Sequence, residues 1–183
     1  MIVEENMRPP GSEAVSPEGG TMKRLLWLGG LVAVFYGHSE WALSKSRALG
    51  WIEAHEQAVF AMKEGVCDDF AFDVNVNIRA GHPKGEWQVD GGKNYVCDYV
   101  RASNAHVRVL KPAIDTRTEL VSLERSDFPW MTAKVKVRQI TTFTLPGLRT
   151  LNEVGETTYV LRRTVRSLQI AEMTSRSEGQ FPR

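Results

Sequence analysis

His55 is the residue in this chain best suited to moving a proton. It falls on the apolar stripe of a helical segment, with Ala48, Ile52, Val59 and Met62 at helical spacing around it. An imidazole changes charge near neutral pH and can serve there as a general base. The ordinary alternative is a core histidine satisfied by a backbone carbonyl. Trp51 stands four residues earlier on the same flank, where the two rings can line a pocket mouth. Asp73, Asn75 and Asn77 repeat on one face of a segment with period two, facing either a pocket or solvent. Tyr95, Asp98 and Tyr99 cluster on a second helical stretch. A phenol and a carboxyl can polarise a carbonyl together there, or they simply pack and solvate. The candidate catalytic residues are therefore His55, Asp73 and Tyr99, and the candidate ligand-binding residues are Trp51, His55, Tyr95 and Asp98.

Other chemistries find no residues. No histidine pairs with another His, Cys or Glu at metal-ligand spacing, so no metal is expected. There is no GxGxxG, P-loop or nucleophile elbow, so no cofactor is expected. Arg162, Arg163 and Arg166 gather near a hairpin without interleaved aromatics, which makes an edge decoration rather than a nucleic-acid site.

The elements that must position these residues can be read in order. Residues 40–64 have the pattern of one long helix, stopped by Gly65. Phe70, Phe72, Val74, Val76 and Ile78 alternate with polar or small residues, as in a half-buried strand. Gly81 to Gly85 breaks it, and a short helix is expected from Lys93 to Asn104. Strands follow at Thr118–Glu124, Trp130–Thr144, Thr157–Arg163 and Ser167–Thr174, with turns at Ser126–Pro129, Pro146-Gly147 and Thr164–Arg166. This order predicts an α+β fold, with a strongly curved antiparallel sheet wrapping the long helix.

The chain's 183 residues are 42% hydrophobic and 25% charged, which excludes wholesale disorder, and a net charge of +1 gives no global pull toward nucleic acid. That average hides an uneven N-terminus. Residues 1–21 carry Glu4, Glu5, Glu13 and Glu18 against Arg8 amid Pro, Gly and Ser, the composition of a disordered leader. Met22-Lys23-Arg24 then precedes the uncharged run Leu25–Gly37, as a start codon before an export signal would. As a helix this run spans roughly 20 Å, short of a hydrocarbon core of about 30 Å, unless it extends to Leu43 by admitting His38 and Glu40. Residues 22–44 are accordingly read as a signal peptide or a membrane anchor through residues 25–43, residues 45–178 as the folded domain, and 179–183 as a frayed tail. The domain is expected in the periplasm or outside the cell, or held at the inner membrane and facing away from the cytoplasm.

Export would change the meaning of the two cysteines. In an oxidising compartment Cys67 and Cys97 are expected to be joined; otherwise they are two unrelated thiols. Neither belongs to a CxxC motif, so redox catalysis is not expected.

Three segments, FAFDVNVNIRAG with GGKNYVCDYV, WMTAKVKVRQITTFTLPG, and ETTYVLRRTVRSLQIAEMTSRSEG, together resemble the nuclear transport factor 2-like superfamily, with its SnoaL-like and ketosteroid isomerase-like branches. The resemblance covers about residues 45–178 and implies a cone: a bent sheet folded around a long helix, with a pocket at its open end. Isomerase members place a tyrosine on the first helix and a general-base aspartate after the first strand. This chain presents His55 on that helix, and Asp73 lies within the strand. Two readings follow. One is a non-catalytic, exported or membrane-tethered module that binds another protein or a small apolar ligand, with a homodimer through the outer sheet face in reach. The other is a small-molecule enzyme of the SnoaL or ketosteroid isomerase type. An open cone with convergent polar groups favours the enzyme, and a cone plugged by Trp, Phe and Leu excludes it.

Overall fold

The computed structural model describes residues 18–61, 63–82, 85–126, 131–145, 147, 150–165 and 167–180. Residues 1–17 of the expected leader, Trp130, the turn residues 127–129, 146 and 166, and residues 181–183 of the expected tail lie outside them. Helix α1 (Glu18–Ala42) begins inside the segment read as a leader. The run from Met22 to Leu28 is rich in good helix formers, and a helix extends at little cost once it has nucleated.

The chain divides into two compact units, residues 1–36 and 37–183. In the first, Leu25, Leu26, Trp27, Leu28, Leu31, Val32 and Val34 are all exposed, so the uncharged run is apolar on every side. Among the described residues, no helix is long and apolar enough to cross a membrane.

The second unit holds the remaining elements. The helix expected over residues 40–64 is two helices. Leu43 is fully buried, and Ser44 takes an extended backbone (φ −69°, ψ 154°) as the N-cap of α2 (Lys45–Phe60). Ala48, Ile52 and His55 form the buried face of α2. Gly65, at φ +86°, is in the left-handed region where a Cβ is penalised, and it turns the chain into one 3-10 turn, Val66–Asp69. Strand β1 (Phe70–His82), β2 (Gly85–Gly91), helix α3 (Lys93–Leu110), β3 (Ala113–Arg125), β4 (Thr132–Thr144), β5 (Leu151–Arg163) and β6 (Leu168–Gln180) follow.

The strands form one sheet in the order β2-β1-β6-β5-β4-β3, antiparallel except between β1 and β6. Register shifts between Phe70 and Asn75, Leu120 and Ser122, and Val160 and Leu161 mark bulges that strengthen the twist, and the sheet is strongly curved around the helices. The core of Ile52, Val76, Val96, Val135, Val137, Leu161 and Ile170 fills its narrow end.

Several expectations need correction. The alternation read from Phe70 to Ile78 breaks at the β1 bulge, which leaves Phe72 86% exposed. Residues 86–91, to which the sequence pattern assigns no element, form with Gly85 the short edge strand β2, which buries only Val89 and so carries no apolar alternation. Strands β3 and β5 start earlier than their apolar patterns suggest, and α3 runs beyond Asn104 to Leu110. Gly179 and Gln180, read as frayed, pair with Glu153 and Asn152.

Candidate active site

A cavity of about 270 Å³ opens between α2, α3 and the inner face of the sheet. Alternate residues of three adjacent strands line it, as a period of two requires: Gln139, Thr141 and Phe143 on β4, Glu153 to Tyr159 on β5, and Met173, Ser175 and Ser177 on β6. Phe60 of α2, Trp87 of β2 and Val96, Tyr99 and Val100 of α3 close the apolar side.

The polar floor converges on Glu56. Its Oε1 accepts a hydrogen bond from Gln139 Nε2 and another from the Tyr159 hydroxyl at 3.0 Å, and its Oε2 accepts one from Thr118 Oγ1 at 3.0 Å. Behind Gln139 the chain continues. Thr157 Oγ1 donates to Gln139 Oε1 at 2.9 Å and lies 2.9 Å from Ser175 Oγ. An amide that accepts from Thr157 must present its NH₂ to Glu56, so the network has a direction and ends on the carboxyl. Burial pushes the Glu56 carboxyl above the ordinary carboxylate range, against the pull of the Tyr159 and Thr118 hydroxyls. Burial also raises the Tyr159 phenol well above its ordinary value, and the neighbouring Glu56 charge adds to the shift.

His55 stands beside this floor. It is 6% exposed, and its Nδ1 lies 2.7 Å from Asp69 Oδ2. An ionised Asp69 selects the tautomer with the proton on Nδ1 and leaves Nε2 as an acceptor. Trp51 stacks on the imidazole at 5.6 Å and 7°, and Phe70 meets it edge-on at 5.4 Å. The ring is therefore fixed on three sides.

Of the residues singled out in the sequence, His55 and Tyr99 line the cavity. Burial raises the Tyr99 phenol, whose ring lies 4.9 Å from that of Trp87. Trp51 supports His55 and lines a separate pocket with Trp41 and Arg47. Asp73 is not part of the site. It lies on the outer face, opposite buried Val74, where Arg162 holds it by two hydrogen bonds of 2.8 and 3.1 Å and keeps its carboxyl below the usual range. Tyr95 and Asp98 are also outside, because α3 turns only its Val96–Val100 flank inward; Tyr95 is exposed and Asp98 pairs with Arg101 at 2.9 Å. Asp73→Asn is therefore expected to leave any catalytic rate unchanged. A loss matching that of His55→Ala would return Asp73 to the chemistry.

The sequence reading missed Glu56, Asp69, Gln139 and Tyr159. Glu56 follows His55 on the chain and so does not share its apolar stripe. The usable signal was on the strands, where Gln139 and Thr157 interrupt otherwise apolar inward registers.

Cys67 and Cys97 are joined by a disulfide with their Cα atoms 5.8 Å apart. The bond ties the turn that carries Asp69 to the helix that carries Tyr99. Cys97 is buried beside Val96.

No protein-family model matches the sequence, and no curated protein does. Solved structures do match. The beta subunit of benzoate 1,2-dioxygenase from Burkholderia mallei superposes with a TM-score of 0.58 at 10% identity, covering 74% of this chain and 91% of that one. A chain assigned as the beta subunit of an aromatic-ring-hydroxylating dioxygenase from Novosphingobium aromaticivorans gives 0.53 at 12% identity, covering 73% and 88%. The yeast complex of the deubiquitinase Ubp3 with its cofactor Bre5 gives 0.53 at 9% identity, covering 73% and 96%. The domain has the nuclear transport factor 2-like fold.

Proposed function

We propose that the cone is the active site of a small-molecule enzyme that moves protons on a compact, largely apolar substrate bearing a carbonyl or hydroxyl group. The observation that carries this reading is the Glu56 carboxyl, half-enclosed at the floor of an open cavity with three hydrogen-bond donors aimed at it, beside the oriented His55–Asp69 pair. A carboxyl that burial holds above its ordinary range is a stronger base than a solvated one and can take a proton from a bound molecule and return it. Tyr159 and Gln139 hold it in place, and His55 supplies a second acceptor of fixed tautomer. Phe60, Phe70, Val96 and Met173 exclude water from the rest of the cavity, which strengthens each polar contact within it. A binding module would need no such pair of proton-transferring groups.

The test is α-proton exchange in D₂O, followed by proton NMR on a panel of small ketones such as 4-phenyl-2-butanone. Exchange above the buffer rate, lost in His55→Ala with the domain still folded, is the expected result. Rates equal to buffer across the panel would refute the reading.

We also propose that the domain works outside the cytoplasm, carried there by a signal peptide or anchor within residues 22–44. The Cys67–Cys97 disulfide and the Lys23-Arg24 pair before an uncharged run support this placement. Fusing residues 22–60 to a reporter active only after export should give activity, and silence would oppose export.

A further inference from the structure

The cavity carries a second carboxyl that the proton chemistry does not use. Glu153 lines it on β5, two positions beyond Gly155, which pairs with Gln139. Strand register therefore sets Glu153 nearer the mouth than the Glu56–Gln139 floor. Trp87, Ala80, Ser177, Gly155 and Gln139 form one row across the sheet, and Glu153 takes the next inward position of β5 beyond that row. Tyr99 faces Trp87 with ring centroids 4.9 Å apart and planes tilted by 40°. The charge of Glu153 is felt at the Tyr99 phenol. Two electron-rich ring faces in mutual contact and a carboxylate thus line one apolar chamber.

The charges of the lining are one-sided. Among its described residues are two glutamates and no lysine or arginine. An anionic ligand would find no lysine or arginine to pair with and would be repelled by Glu153. A bare metal ion has no cage, because no group of three His, Cys, Asp or Glu gathers among the described residues. A compact ammonium loses strong hydration on entering an apolar chamber, whereas a methylated or otherwise bulky ammonium is weakly hydrated and gains from aromatic faces.

Resting on the reading of the cone as a small-molecule site, we propose that its ligand is an organic cation. A bulky or quaternary ammonium head sits against Trp87, Tyr99 and Glu153, and an apolar body runs inward toward Glu56. Glu153, Trp87 and Tyr99 act as binding residues that select charge, and the floor acts on the far end of the molecule.

The test titrates the full domain with benzyltrimethylammonium, with its uncharged carbon isostere neopentylbenzene, and with phenylacetate, by ligand-observed NMR. The cation should bind about five- to thirtyfold more tightly than the isostere. Glu153→Gln should bring the two within about twofold while leaving neopentylbenzene unchanged, which also shows that the variant is folded. If the isostere binds as well as the cation, or phenylacetate binds best, the charge assignment is overturned and the cavity reading stands. If none of the three binds, both fall.

Discussion

Glu56→Gln is expected to slow α-proton exchange by about 10²–10⁴-fold, the usual worth of a positioned acid or base, while the domain stays folded. The substitution keeps the shape of the floor. A glutamine oxygen can still accept from Tyr159 and Gln139, and its NH₂ can turn to the Thr118 hydroxyl, which accepts as readily as it donates. Only the exchangeable proton and the charge are lost. The pH dependence of stability gives a second readout with a definite sign. Burial raises the folded-state value of this carboxyl, so folding favours its protonated form. Its contribution is fully present below the ordinary carboxylate range and is lost as pH rises through the raised value. Above that pH the glutamine variant should match or exceed the parent in thermal stability, and below it the two should converge. A variant that keeps its rate, or that loses stability more as pH rises, would contradict the assignment.

Removing the disulfide is the largest expected effect on stability. Cys67 and Cys97 are 30 residues apart, and closing a loop of that length adds about 3–4 kcal/mol by restricting the unfolded chain. For a domain of this size the double variant Cys67→Ala/Cys97→Ala should melt about 10 °C lower than the parent. Function should suffer as well. The bond holds the turn bearing Asp69 against α3, so loosening it frees the partner that fixes the His55 tautomer. Thermal unfolding with and without a thiol reductant separates the cases. The parent should lose stability with reductant and the double variant should not respond. Equal melting of parent and variant would mean that the bond adds nothing.

The narrow end of the cone was legible in the sequence and the open end was not. Val135, Val137, Leu161 and Ile170 pack against Ile52, so selection for burial writes an alternation that a reader can find. Beyond Gln139 and Thr157 the same strands face a cavity. Their inward positions there are Thr141, Glu153, Gly155, Ser175 and Ser177, which look like loop or surface residues. The start of β5 was missed for that reason, and with it the carboxylate at the mouth. His55 was found because it sits on an apolar stripe. Glu56 was missed because its neighbour on the chain occupied that stripe, and one residue along a helix is a rotation of about 100°. Only the strands opposite reveal that this flank also faces inward. Asp73 keeps the face that the alternation assigned it, opposite buried Val74 and Val76, and that face meets solvent and Arg162; the residue that the bulge displaces is Phe72.

The central claim is that the cone interior takes up a small molecule. Methyl-resolved NMR of the full domain during titration with 4-phenyl-2-butanone tests it most directly. Saturable shifts confined to the methyl groups of Ile78, Val96, Val100 and Met173 are the predicted result. Unmoved cavity methyls, or shifts only at exposed Val109, Leu110 and Val121, would contradict it.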